Sequence, residues 1–190
     1  GLPLADAQNG AIDISLLPLE RYERAEVHRG LVPTGFGGLA AAGAVNLRTR
    51  GDAAGTGARV FAGSFGDVGG RVHHALASDD GTRRLLVLAH GRRIDNRYEF
   101  EPNIPAAQVP LYPDTTWTRR NADFEQYGWF VSGALEGHGG LLRASAGGFR
   151  RDGGRPGPFH QPSPHARIRH ERWDARLGAV TAGRALSLDV

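Results

Sequence analysis

Residues Glu20 to Arg50 read ERYERAEVHRGLVPTGFGGLAAAGAVNLRTR, and their order decides how the rest of the chain is read. A charged segment, Arg24 to Arg29, alternates. Ala25 and Val27 fall on one side, and Arg24, Glu26 and His28 on the other, which is the period of a strand. A loop of small residues follows, GFGGLAAAG from Gly35 to Gly43, and then a second short strand, Ala44 to Thr49. Just upstream, Pro18 to Tyr22 predicts one short helical turn, with proline at an early helical position.

Working outward, residues 1–53 read as a mixed α+β piece that opens on the turn-rich GLPLADAQNGA. From residue 58 the texture changes to strands of about ten residues separated by turns. The predicted strands are Ala58–Phe65, Gly70–Ser78, Arg83–Arg93, Phe124–Glu136, Leu141–Arg151, Arg167–Val180 and Ala185 onward. In Arg172–Val180 one face carries Trp173, Ala175, Leu177 and Ala179, and the other Arg172, Asp174, Arg176 and Gly178. Tyr127–Leu135 and Leu142–Gly148 alternate in the same way. Arg83–Arg93 does not, because Leu85, Leu86, Val87 and Leu88 make both faces apolar.

The connections also carry a pattern. Asp79–Gly81, Gly137–Gly140 and Thr181–Arg184 are tight, whereas Ile94–Asp123 and Asp152–Ala166 are long. Short turns at one end and long loops at the other are the rhythm of an outer-membrane β-barrel. The first connection, Gly66–Gly69, is short where the rhythm asks for a long one. An arginine facing lipid at the bilayer midplane costs roughly 2–4 kcal/mol. Arg143, Asp174 and Arg176 are therefore expected to face a lumen, and Trp173 and Leu177 to face lipid. Trp129 and Trp173, near the long-loop ends of their strands, suit an outer aromatic girdle.

Composition fits this reading. The chain has 190 residues, with 28 Gly and 11 Pro, which punctuate many short strands better than helices. It has no Cys and no Met, so disulfides and thiolate metal sites are excluded, and the chain reads as an excerpt or a processed product. No apolar run approaches the roughly 20 residues of a membrane helix. A barrel needs none, since its strands alternate and keep mean hydropathy low. All 23 basic side chains are Arg, but the net charge is only +3 and acids are interspersed, so nucleic acid is not an expected partner.

The segment from Glu20 to Arg50 resembles the C-terminal signature of the plug domain of TonB-dependent outer-membrane receptors. In that family a strand of the type ERVEVLRG leads through YGS.A.GG into VINIITK. Here Pro18, Glu23-Arg24, Glu26-Val27, Arg29-Gly30, Gly35-Phe36-Gly37, Gly43 and Asn46 fall where the family places its typical residues. GLPLADAQNG resembles the family's DG(V/I)P(L/Y) segment. Ala25 stands for a branched residue, Gly38 for Ser, and Ala42 for the first Gly of GG.

The resemblance implies an α+β plug fragment over residues 1–53, followed over 58–190 by the first antiparallel strands of a transmembrane β-barrel. That barrel would hold roughly 22 strands, so this chain does not close it alone. The plug signature would be Gly30, Gly37, Gly43 and Asn46. Glu26 and Arg29 would lock plug to barrel wall through ion pairs. Asp6, Gln8 and Asn9 in the plug, with Tyr98, Tyr112 and Trp117 in the long loop, would be the substrate-binding candidates, since aromatic loops offer large rigid contact area. The implied partners are TonB, reached through a box upstream of residue 1, a bulky ligand, and the lipid of the cell outer membrane. A ferric siderophore comes first as ligand and a cobalamin-like molecule second. The implied job is active uptake.

Other classes are weaker. Gly35 to Ala40 matches the G-x-G-x-x-A of a dinucleotide site, but a strand follows where a helix is needed and Asp52 comes too early. His160, His165 and His170 are five apart, a spacing that fits neither ligands on one helix face nor on one strand face. No metal, cofactor or catalytic group is expected, and the chain is not read as an enzyme. A passive porin and a structural or adhesive β-domain of the envelope explain the strands but not the signature at 20–50.

Overall fold

The computed structural model describes residues 17, 19–30, 43–49, 54–101, 116–137, 139–158, 161–181 and 184–189. Near the N-terminus a single 3-10 turn, Leu19–Arg21, leads into β1 (Tyr22–Arg29), which pairs antiparallel with β2 (Gly43–Thr49). The helical turn and both strands fall where the sequence puts them. Beyond that turn and a second one at Ser64–Gly66, the described residues hold no helix.

The period-2 segments become one antiparallel sheet of seven strands. They are β3 (Gly55–Ala62), β4 (Val68–Ala77), β5 (Arg83–Ile94), β8 (Phe124–Gly137), β9 (Gly140–Gly154), β10 (Arg167–Thr181) and β11 (Arg184–Asp189). Each pairs with the next in chain order, and β3 and β11 form the two edges. Between β5 and β8 a small separate ribbon intervenes, β6 (Tyr98–Phe100) on β7 (Trp117–Arg119). The sequence reading had this stretch as uninterrupted loop, because three residues are too few to show a period.

Strict register sorts the side chains. In β5, Leu86 and Leu88 turn to the face that also carries Ala75 and Phe130, and these four form the buried core. Leu85 and Val87 turn the other way and stay more than two-fifths exposed. The doubly apolar run that made this strand ambiguous thus feeds two different surfaces.

The tight connections sit together at one end. At Ser78–Arg83 the chain reverses through Gly81, whose φ of 70° favours glycine. Ser78 Oγ, Thr82 N and Thr82 Oγ1 all donate to Asp80 Oδ1. These donors, Ser78 first, hold the Asp80 carboxyl at about 2, below its ordinary 3.8. A lowered folded-state value means that this turn's contribution to stability is complete above the ordinary value and fades as pH falls towards the folded one. Ser78→Ala is expected to move the Asp80 titration back up towards the ordinary carboxylate range, read by carboxyl-carbon NMR.

On the opposite face from the core, Trp129, Gly148 and Trp173 line up across three strands. The two indoles lie 6.2 Å apart, inclined by 60°, over the glycine. A Cβ at Gly148 would come within 2.7 Å of both rings. Gly148→Val is therefore expected to splay the pair and cost about 1–3 kcal/mol by overpacking. A changed tryptophan emission and a lowered unfolding midpoint would show it.

Candidate functional site

The sheet has two unlike faces. The outer one carries Val60, Val72, Leu76, Leu85, Val87, Trp129, Leu135, Leu142, Trp173, Leu177 and Leu186, with Ala and Gly between them. Trp173 is 68% exposed and Leu177 48%. The polar interruption lies near the β3 edge, where Thr56 Oγ1 and His74 Nδ1 stand 2.6 Å apart. Outer-face charges gather at the two ends. At the long-loop end Arg167 bridges Asp152 and Asp123 at 2.9 and 3.0 Å. There too, Arg150 lies 3.5 Å from Glu171. Such exposed pairs stabilise little, about 0–1 kcal/mol each. Their placement is the informative part: Tyr127 shares the row of Arg150 and Glu171, and Trp129 and Trp173 lie between that row and the aliphatic band.

The inner face mixes charge with the small core, and the N-terminal segment sits on it. Arg21 Nη1 donates to Asp174 Oδ1 at 2.8 Å. Its guanidinium lies 4.3 Å from the centre of the Phe130 ring, a cation–π contact. Gly147 makes room for it, since a Cβ there would overlap the guanidinium. Arg21 is buried, and Leu17 just before it is buried too.

Several residues singled out in the sequence are brought together in the β1–β2 hairpin. Glu26 faces Asn46 across the ladder and accepts from its Nδ2 at 2.9 Å. It also accepts from Arg48 Nε at 3.1 Å and pairs with Arg24 at 2.7 Å. Asn46 first, then the two arginines, hold the Glu26 carboxyl below the usual range. Gly30 and Gly43 end and begin the strands at φ of 80° and 134°, and at Gly43 a Cβ would run into the His28 carbonyl oxygen. Both positions require glycine. Gly37 lies outside the described residues, as do Asp6, Gln8, Asn9 and Tyr112.

The two residues expected to lock the segment to the wall, Glu26 and Arg29, both lie on β1. Among the described residues, Glu26 is tied within its own hairpin, and Arg29 is exposed with no ion pair. An ion pair that crosses to the sheet is made by Arg21, with Asp174 as its partner. Sequence reasoning placed Asp174 on the inner face by parity but saw Arg21 only as part of a helical turn. No local signal links two positions 153 residues apart.

At the long-loop end, Tyr98 and Trp117 come from the two strands of the small ribbon. Tyr98 packs its ring between Phe65 and Phe100, at 5.3 and 6.0 Å. Trp117 instead lines a cavity of about 390 Å³ with Phe100, Arg119, Pro156, Pro158 and Pro162. Arg119 spans it by donating to the Gly157 carbonyl at 3.2 Å. Asn121 ties down the same proline-rich loop by donating to the carbonyls of Ser163 and Ala166. This pocket offers apolar walls, one indole and a fixed cation.

Among the described residues no cluster of three or more His, Asp or Glu could hold a metal ion. His73 and His74 point to opposite faces of β4, and His160 lies outside the described residues. The chain matches no protein-family model, no curated protein and no solved structure.

Proposed function

We propose that this chain is part of a TonB-dependent outer-membrane receptor: the end of its plug, over residues 1–53, and the first strands of its barrel, over 58–190. One observation carries the reading. The seven-stranded meander leaves a broad apolar face uncovered, with its charges at the ends, while the face bearing Asp174, Arg143 and Arg176 receives the N-terminal segment. A soluble sheet buries its apolar face and wets its charged one; here the order is reversed, as lipid outside and a filled lumen inside would demand. From Tyr127 to Leu135 the apolar side runs roughly 27 Å along the strand at about 3.4 Å per residue. A tilt of about 40° reduces that to ~21 Å of height, close to the band of about 25 Å that outer-membrane barrels carry.

In this reading β3 and β11 pair with further strands of the same barrel. Ligand binds the plug apex and the long loops, where Trp117 and Arg119 line their pocket. Force passed through TonB from the inner membrane displaces part of the plug and opens a path. The work comes from the proton motive force at the inner membrane. The ligand class that fits first is a ferric siderophore, then a cobalamin-like molecule. A passive porin accounts for the same strands but leaves the seating of Arg21 without a purpose.

The test is uptake of labelled ferric siderophores and cobalamin by cells carrying the full-length gene, with and without TonB. Uptake of one ligand that vanishes without TonB is the expected result. Uptake that persists without TonB would sink the receptor reading and put the porin in its place.

A further inference from the structure

We infer that the outer face carries, at its tight-turn end, a seat for one phospholipid with a zwitterionic, amine-bearing headgroup, its acyl chain lying over Gly133 and Ala144 and its phosphate on Arg83. The inference rests on the lipid reading of that face. Register builds the groove. Leu85, Gly133, Ala144 and Leu177 form one row across β5, β8, β9 and β10, with Leu76 of β4 beyond Leu85. The two middle members are the smallest, so the row dips at its centre. One step nearer the turns, Arg83, Leu135 and Leu142 form the next row. The depression is a cavity of about 460 Å³, floored by Gly133 and Ala144 and walled by Leu76, Leu85, Leu135 and Leu142. Each of these leucines is more than two-fifths exposed, so the groove is open on the outer face.

The mouth is charged where the walls are not. Arg83 and Ser78 line the cavity at its turn end. Arg83 is exposed and makes no ion pair among the described residues. The same turn carries Asp79 and Asp80, both exposed. Ser78 and Thr82 occupy Asp80 Oδ1, and among the described residues nothing donates to its Oδ2. Arg83 is near enough to help lower the Asp80 carboxyl, so a cation and a carboxylate stand side by side at the end of an apolar groove. That pairing matches a headgroup with a phosphate and a primary ammonium. The guanidinium fork holds phosphate oxygens, and the ammonium donates to the carboxylate. A headgroup with a phosphate alone would meet the acids of the turn as like charges. A quaternary ammonium has no N–H to give. Neither the strand rhythm nor the plug resemblance calls for this groove, and it lies at the opposite end of the sheet from the loop pocket.

Native mass spectrometry of the full-length protein, released from detergent micelles, tests the seat with phosphatidylethanolamine, phosphatidylglycerol and phosphatidylcholine of identical acyl chains. One phosphatidylethanolamine is expected to stay bound where the other two are stripped, with an affinity about fivefold or more above theirs, the worth of one charged contact at a membrane surface. Arg83→Gln should remove that preference. Gly133→Leu fills the groove and should end retention of all three lipids. The fold accepts it, since a Cβ at Gly133 meets only the Arg84 carbonyl oxygen, at 3.6 Å. Glycerophosphoethanolamine, a headgroup without chains, should not compete. Equal retention of the three lipids, a preference for phosphatidylglycerol, or retention indifferent to both Arg83→Gln and Gly133→Leu would overturn the seat. A protein that gathers no detergent belt would fail the lipid reading itself, whereas a belted protein that holds the three lipids alike fails the seat alone.

Discussion

With lipid on the apolar face, as proposed, Leu177→Arg is expected to reduce folding into a bilayer by about 2–4 kcal/mol, the cost of an arginine near the midplane. Leu177 lies on the outer face of β10, level with Ala144 and Leu188 on its neighbours and flanked along its own strand by Ala175 and Ala179. It is 48% exposed. In a soluble sheet a half-exposed position away from any special feature tolerates such a change within about 0.5 kcal/mol. The same substitution therefore separates two environments that the geometry of a lone sheet leaves equivalent. Equilibrium folding of the full-length protein into vesicles, followed by heat-modifiable electrophoretic migration, would measure it. Arg169→Leu provides the comparison, since Arg169 sits in the charged rim beyond Trp173 and its ion pair with Asp152 is exposed. That change is expected to shift the equilibrium by less than about 1 kcal/mol. Equal tolerance of both changes would count against lipid on this face.

How far the chain could be read from its residues follows from the range of each interaction. The seven long strands were legible because most of them alternate and turn residues separate them, and their observed bounds differ from the expected ones by about three residues at most. Parity also sorted Arg143, Asp174 and Arg176 from Trp173 and Leu177, since a one-residue slip would have exchanged the whole set. Two things were beyond that reach. Only register with β4 and β8 tells which half of Leu85–Leu88 enters the core. The β6–β7 ribbon is three residues wide, so its pairing depends on the loop around it rather than on its own pattern. In the hairpin, Glu26 and Asn46 were both singled out, yet their hydrogen bond is a fact of strand register, set by Val27 meeting Val45.

Arg21→Ala is expected to loosen the N-terminal segment from the sheet at a cost of about 3 kcal/mol. The pair it breaks is mostly shielded, with the Arg21 side chain 10% and the Asp174 side chain 21% exposed. Removing one partner leaves the other charge in a poor solvent without compensation, and such losses run at about 3–5 kcal/mol for fully buried pairs. The Phe130 cation–π contact goes with it, adding a further ~0.5–1 kcal/mol. Asp174→Asn should cost less, because the amide oxygen still accepts from Arg21 while the charge is lost. The double variant should cost less than the sum of the two, with a coupling of about 0.5–3 kcal/mol if the contact is direct. A role in seating the segment predicts more than lost stability. If Arg21 holds a plug against its wall, its removal should let small solutes through without TonB, seen as raised single-channel conductance or as antibiotic sensitivity of cells carrying the variant. Gly147→Ala should act in the same direction, since its Cβ takes the space of the guanidinium. Stability lost with no gain in permeability would make Arg21 a fold contact alone, and would move the lock to partners on strands beyond β11.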